Sequence, residues 1–318
     1  MKLATTTGEF SDYSESLAEV VACFEGTGFR NLDLSLYHTI YNGSPFLADN
    51  WKEWIEAGGV EAERRGVTFM QAHSPNGNPY SEGETYEVFI KATIRSIEAC
   101  GILGIPHIIV HHCDIGGYPS AANRRLNLER NRDFFVKLFP MMERTGVRVL
   151  LENGPDTHAP TPHENRRCFG SLPSELLELR EFLNHPLIAT CWDTGHANIQ
   201  QLDQYESIME LGEALHGVHI ADNYGDVDSH VSPFMGTVNI DSVMQGLLDS
   251  GYKGYFTFES NRMLHSSDTW PHYRRKWSYK GEPVERLAYV PRELKWHTIV
   301  LQYQIGKHIL STYGCYEE

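Results

Sequence analysis

The sequence predicts a (β/α)8 barrel, the TIM architecture, and three observations carry that expectation. Eight short apolar runs recur along the 318 residues, their starts spaced by 29 to 41 residues, the length of one strand-plus-helix unit. The runs are close to continuously apolar, as parallel strands buried on both faces are. Helical patterns ending in glycine stops lie between them. A doubly wound open sheet is the alternative, but no Gly-x-Gly-x-x-Gly fingerprint follows the first run.

In chain order, strands are expected at 2–7, 31–36, 67–72, 107–112, 148–153, 188–193, 217–221 and 254–259. Leu17, Val20, Val21 and Phe24 keep the i, i+3, i+4, i+7 rule after Ser16, with Glu19 placed to complete a capping box. Ile90, Ile94 and Ile97 form one face of a later helix, flanked by Phe89 and Cys100, with Thr93 its polar member. The phrases GTGFRNLDL, ACGILGIPHIIV, RTGVRVLLEN and DSGYKGYFTFE repeat one order: helix end, glycine, strand. Residues 260–290 form an elaborated loop after the eighth strand, ahead of a final helix near 291–311. One domain, 1–318, is expected.

Apolar residues make up 41% and charged residues 22%, the balance of a globular chain. No run of about 18 apolar residues and no apolar leader occurs, so no membrane partner and a cytoplasmic location are expected. The six cysteines form no CxxC pair and read as buried free thiols. A net charge of −15 disfavours a surface built to hold nucleic-acid phosphates.

In a barrel, functional groups come from the C-terminal ends of the strands. Those ends carry His73 in QAHSP, His111 and His112 in IIVHHCD, and Glu152 in VLLENG. Further on come Asp193 and His196 in CWDTGH, His219 in GVHIADN and Glu259 in FTFES, with Asp228 and His230 in the seventh loop. Each alone has an ordinary explanation. A strand-end histidine is commonly a hydrogen-bonded core residue, and Asp193 suits a helix N-cap. Together, Glu152, Asp193, His219 and Glu259 place three carboxylates in one small space, where like charges repel unless a cation neutralises them. One divalent metal is therefore expected. The oxygen-rich donor set favours Mn2+, with Mg2+, Co2+ or Zn2+ as alternatives, and argues against a thiolate zinc site.

As an ordered set, LLEN, WDTGH, VHIAD and FTFES resemble the xylose isomerase-like barrel superfamily, in particular its sugar isomerase/epimerase branch with the ketose 3-epimerases. The resemblance spans strand one to strand eight. It implies that Glu152, Asp193, His219 and Glu259 are the metal ligands, and that Glu152 and Glu259 are the catalytic acid/base pair. His196 resembles a substrate-contacting histidine, and His73, His112, Asp228 and His230 are expected to line the same carbohydrate site. A metal holding carbonyl and hydroxyl oxygens would stabilise an enediolate while one glutamate removes a proton and the other returns one. Two departures stand out. The stretch 220–226 has no arginine where ketose 3-epimerases carry one, and the fifth loop, NGPDTHAPTPHENRRCFGS, is long.

A different class within the superfamily, endonuclease IV-type phosphodiesterases with three zinc ions, also finds counterparts here. They are His73, His111 or His112, His196, and Asp228 with His230, although the opening MKLATTTGEF lacks that class's His-x-Ser. Members that open C-glycosides of oxidised sugars are a third alternative. The eighth-loop segment DTWPHYRRKWSYKG mixes aromatic and basic residues and reads as a subunit interface, giving a homo-oligomer.

Overall fold

The computed structural model describes residues 1–115, 121–154, 168–269 and 273–318. Its elements in chain order begin β1 (Leu3–Thr6), α1 (Leu17–Cys23), β2 (Asn31–Ser35), α2 (Trp51–Arg65), β3 (Thr68–His73), α3 (Gly83–Leu103) and β4 (His107–Ile109). Next are α4 (Ala121–Phe135), α5 (Phe139–Thr145), β5 (Arg148–Glu152), α6 (Pro173–Leu183), β6 (Ile188–Asp193), α7 (Thr194–Ile199) and α8 (Gln204–Leu211). The chain ends with β7 (Leu215–His219), α9 (Ile240–Asp249), β8 (Phe256–Phe258), a hairpin of β9 (Ser278–Tyr279) and β10 (Glu282–Pro283), and α10 (Arg292–Thr312).

β1 to β8 are parallel, in the order β7-β6-β5-β4-β3-β2-β1-β8. A parallel bridge between Ile220 and Phe258 joins the two ends, with Ile220 N donating to Thr257 O at 2.7 Å and Glu259 N to Ile220 O at 3.1 Å. The ring closes as a (β/α)8 barrel. Among the described residues no helix is long and apolar enough to cross a membrane.

The core has two parts. Outward strand residues such as Leu32, Leu34, Val149 and Phe258 pack under the helices. Ile109, Leu150, Ala189 and Cys191 form a separate cluster inside the barrel. Because strand side chains alternate with period two, the next inward positions above Leu150, Cys191 and Gly217 are Glu152, Asp193 and His219. One step of the pleat thus converts an apolar floor into a polar one.

Local chemistry sets the helices. Ser16 accepts from Glu19 N at 3.2 Å, but the Glu19 carboxylate turns to Glu15 N at 2.9 Å, so only half of the expected capping box forms. In α3 the buried face runs through Phe89, Thr93, Ile97 and Cys100, while Ile90 and Ile94 sit at its margin. Thr93 is accommodated there because its hydroxyl donates to Phe89 O at 2.9 Å. Gly104 (φ 70°) and Gly146 (φ 72°) end α3 and α5 in the left-handed region, which favours glycine.

Candidate active site

Glu152, Asp193 and His219 end β5, β6 and β7, and Glu259 follows β8. One donor atom from each lies within 4.8 Å of the others. His219 Nδ1 is 2.5 Å from Glu152 Oε1 and 3.1 Å from Glu259 Oε2. Asp193 uses its two oxygens differently. Oδ1 accepts from His196 N at 2.7 Å and caps α7, whereas Oδ2 is buried with no hydrogen-bond partner. The aspartate is both the helix cap and an unsatisfied anion beside two further carboxylates. That donor set fits a divalent cation. Burial pushes the Asp193 carboxyl up to about 6, with Glu152, Glu259 and Asp228 adding to it against His196. Burial also acts on Glu152, but the charge of His219 and hydrogen bonds from His111 and His219 hold it well below the usual carboxylate range. Glu259 is drawn down to about 2, burial being outweighed chiefly by His219.

Asn153 explains the pairing of LLEN with WDTGH. Its side chain exchanges two hydrogen bonds with the Asp193 backbone, at 2.7 and 3.0 Å, and its carbonyl accepts from His196 Nδ1 at 2.7 Å. Two more clusters flank the first. His111 Nε2 lies 3.1 Å from His73 Nε2 and 3.0 Å from Glu152 Oε2. Asp228 Oδ2 lies 2.6 Å from His230 Nε2 and 3.5 Å from His196 Nε2. His73, His196 and His230 each donate Nδ1–H to a backbone carbonyl, that of Ser74, Asn153 or Glu259. That bond fixes the tautomer and leaves Nε2 facing the cavity. His230 sits at φ 46°, a left-handed backbone held by the Glu259 carbonyl and by Arg262 N on its own carbonyl. Asp228 Oδ1 is buried without a hydrogen-bond partner.

Glu152, Glu259, His73, His111, His196, Asp228 and His230 line a cavity of about 540 Å³ at the mouth of the barrel, together with Tyr37, Arg262 and Lys295, while Asp193 and His219 are fully buried and not on its wall. Its volume lies in the range of small-molecule sites. His73, His196, Asp228 and His230 are all on its wall. His112 is not, and the expectation for it is corrected. Its Nε2 donates to Phe169 O at 2.7 Å, and a Cβ on Gly170 would come within 2.0 Å of that nitrogen. Successive residues of an extended chain point to opposite sides, so His111 takes the cavity and His112 the outside of the strand end. Burial pushes His112 down to about 4, which keeps it neutral in this bracing role.

The fifth-loop stretch 155–167 and residues 270–272 of the eighth loop lie outside the described residues. The rest of the eighth loop carries the β9–β10 hairpin, with Trp277 stacked on Tyr279 at 6.2 Å. Trp277, Leu287 and Tyr289 are 60%, 79% and 77% exposed, residue types that subunit interfaces use. No arginine follows His219, but Arg262, from the eighth loop, brings a cation to the cavity. Sequence reading passed over Asp33 and Gln71, which lie under His219, at 3.2 and 3.0 Å from its Nε2. The signal was present, since Asp33 is an acid inside the apolar run NLDLS.

The model of the family described as xylose isomerase-like TIM barrel matches residues 27–279. The uncharacterised protein MJ1311 of Methanocaldococcus jannaschii is 26% identical over 211 residues, 64% of this chain and 68% of its own length. A ketose 3-epimerase of Arthrobacter globiformis is 33% identical over 88 residues, 27% of this chain and 28% of its own. Among solved structures, a D-tagatose 3-epimerase-like protein superposes with TM-score 0.67 at 19% identity, over 99% of this chain and 100% of that one. The IolI protein, whose structure holds a zinc atom, superposes with TM-score 0.68 at 14% identity, over 98% and 99%. With the family model covering most of the chain and the strands closing in the matching ring, this chain belongs to the xylose isomerase-like TIM barrel family.

Proposed function

We propose that this protein is a divalent-metal-dependent sugar isomerase or epimerase that moves a proton next to a carbonyl, with Glu152 and Glu259 as its acid and base. One observation carries the reading: Glu152, Asp193, His219 and Glu259 converge at the ends of four successive strands with Asp193 Oδ2 unsatisfied, and Glu152 and Glu259 open onto a sugar-sized cavity. Those four residues would hold the cation, which when bound supplies the positive charge that stabilises a developing enediolate. Glu152 is kept deprotonated by its imidazole neighbours and is suited to take the proton. Glu259, on the neighbouring strand end across His219, is suited to return one. His196 and Arg262 stand on the wall where substrate oxygens would lie. Mn2+ is the cation expected first, and the kinship to ketose 3-epimerases supports a carbohydrate substrate.

The test is solvent deuterium incorporation into a panel of ketoses by the Mn2+-loaded protein. Wild type is expected to exchange the proton beside the carbonyl of at least one ketose, and Glu152→Gln and Glu259→Gln should each lose that exchange. Full exchange in either variant overturns the two-glutamate reading.

A second reading is favoured by the two flanking clusters, His73–His111–Glu152 and His196–Asp228–His230. The Nδ1–H bonds of His73, His196 and His230 are the preparation that cation ligands need, and three cations with nine protein ligands would suit hydrolysis of a phosphodiester at an abasic site. Metal analysis separates the two. One Mn2+ per chain supports the isomerase, whereas three zinc ions with cleavage of abasic duplex DNA replaces it with the nuclease.

A further inference from the structure

Asp33 is the acid of β2 and Gln71 a polar residue of the otherwise apolar middle of β3. They are register partners, and the pleat turns both toward the barrel interior. Asp33 is 1% exposed and Gln71 fully buried. Asp33 Oδ2 lies 3.2 Å from His219 Nε2 and 3.2 Å from Gln71 Nε2. Room for the Gln71 amide comes from Gly217, where a Cβ would sit 2.8 Å from Gln71 Oε1. Asp33 Oδ1 is buried with no hydrogen-bond partner. A buried carboxylate placed this way is costly unless it serves the one imidazole it touches.

The other ring nitrogen of His219 faces the cluster. Nδ1 is 2.5 Å from Glu152 Oε1, so in this arrangement Nδ1 carries the proton and donates it to the carboxylate. A cation shared with Glu152, Asp193 and Glu259 needs the Nδ1 lone pair instead. A neutral imidazole has a single N–H, which must then stand on Nε2 and find an acceptor. Asp33 Oδ2, at 3.2 Å, is an acceptor already in place, and the Gln71 amide, whose Nε2 lies 3.0 Å from the same ring nitrogen, has to turn from it toward Asp33 alone.

We propose that Asp33 is a positioning residue for the metal centre, accepting the Nε2 proton of His219 so that Nδ1 presents its lone pair to the cation, with Gln71 steadying the Asp33 carboxylate. When the cation takes Nδ1, the proton there leaves to solvent while a proton stands on Nε2 against Asp33, which stays a carboxylate throughout. The inference rests on the metal-centre reading above.

Metal-stripped protein is titrated calorimetrically with Mn2+ and with Zn2+. Asp33→Asn is expected to weaken binding by about 10- to 100-fold without changing the number of ions bound, and Asp33→Glu to recover part of the loss. Binding by Asp33→Asn within twofold of wild type overturns the proposal. The tautomer is also read directly in the wild type, which covers the case of a variant that does not fold. Long-range 1H–15N spectra of the Zn2+-loaded protein are expected to show His219 as Nε2–H, and an Nδ1–H form overturns the proposal. If wild type binds neither ion, the metal centre itself falls. Tight wild-type binding with an indifferent Asp33→Asn removes only the role of Asp33.

Discussion

His111 and His112 are adjacent in the chain and separate in what they do. His111 shares its Nε2 contacts with His73 and Glu152, whereas His112 ties the end of the fourth strand run to the Phe169 carbonyl. His111→Gln is expected to slow substrate proton exchange at least tenfold while shifting unfolding by less than about 0.5 kcal/mol, the range of substitutions outside the packed core. His112→Gln should do the reverse, costing about 1–3 kcal/mol in urea unfolding by disturbing a partly buried carbonyl, with exchange kept. The doublet HHC announced two imidazoles at one strand end. Which of them faced inward depended on where β4 leaves its ladder, at Ile109, and no local signal in the sequence marks that point. Asp193 was more legible: the helix-cap explanation holds through Oδ1, and Oδ2, buried without a partner, is the oxygen left for the proposed cation.

At the scale of elements, α10 locks the end of the barrel that bears the site. Lys295 Nζ reaches Glu9 Oε2 and Asn261 O, both at 2.6 Å, and Gln302 bonds Glu9, Thr5 and the Ser260 carbonyl. The ion pair is almost wholly buried, at 3% and 2% exposure. Lys295→Met should therefore cost about 3–5 kcal/mol, since it strands a buried carboxylate, and adding Glu9→Gln should restore most of that in denaturant unfolding. The opposite rim of the barrel carries a pH dependence. Burial, chiefly, pushes His107, the first residue of β4, down to about 4, against an ordinary value near 6.5. Between those values the unfolded chain binds more protons than the folded one. Stability is thus whole above about pH 6.5 and falls as pH drops toward 4, by about 2–3 kcal/mol in all. Unfolding midpoints measured across that range should show the slope, and His107→Phe should remove its share while leaving that of His112, which burial also pushes down to about 4. The eight-strand period and the final helix were readable because apolar runs and glycine stops are local signals. The Glu9–Lys295 pair was not, because its partners lie 286 positions apart and only barrel closure joins them.

For the molecule as a whole, the ring has one weak point. β7 and β8 are not ladder neighbours in the eight-strand order, and the bridge at Ile220–Phe258 is what joins them. His219 and Glu259 stand on either side of that seam, 3.1 Å apart. Filling the proposed metal centre should therefore act on folding as well as on chemistry. At a free-ion concentration a thousandfold above Kd, a bound cation adds about 4 kcal/mol to global stability, so a chelator should lower the melting temperature by several degrees. Hydrogen exchange should locate the effect, with the Ile220 and Glu259 amides slowed more by the ion than those of β3 or β5, and uniform slowing would count against it. The seam then works as a buckle on a belt. Under the proposed metal reading, whatever empties the centre would also unfasten the barrel there, so this protein's heat tolerance in a cell would follow its supply of metal.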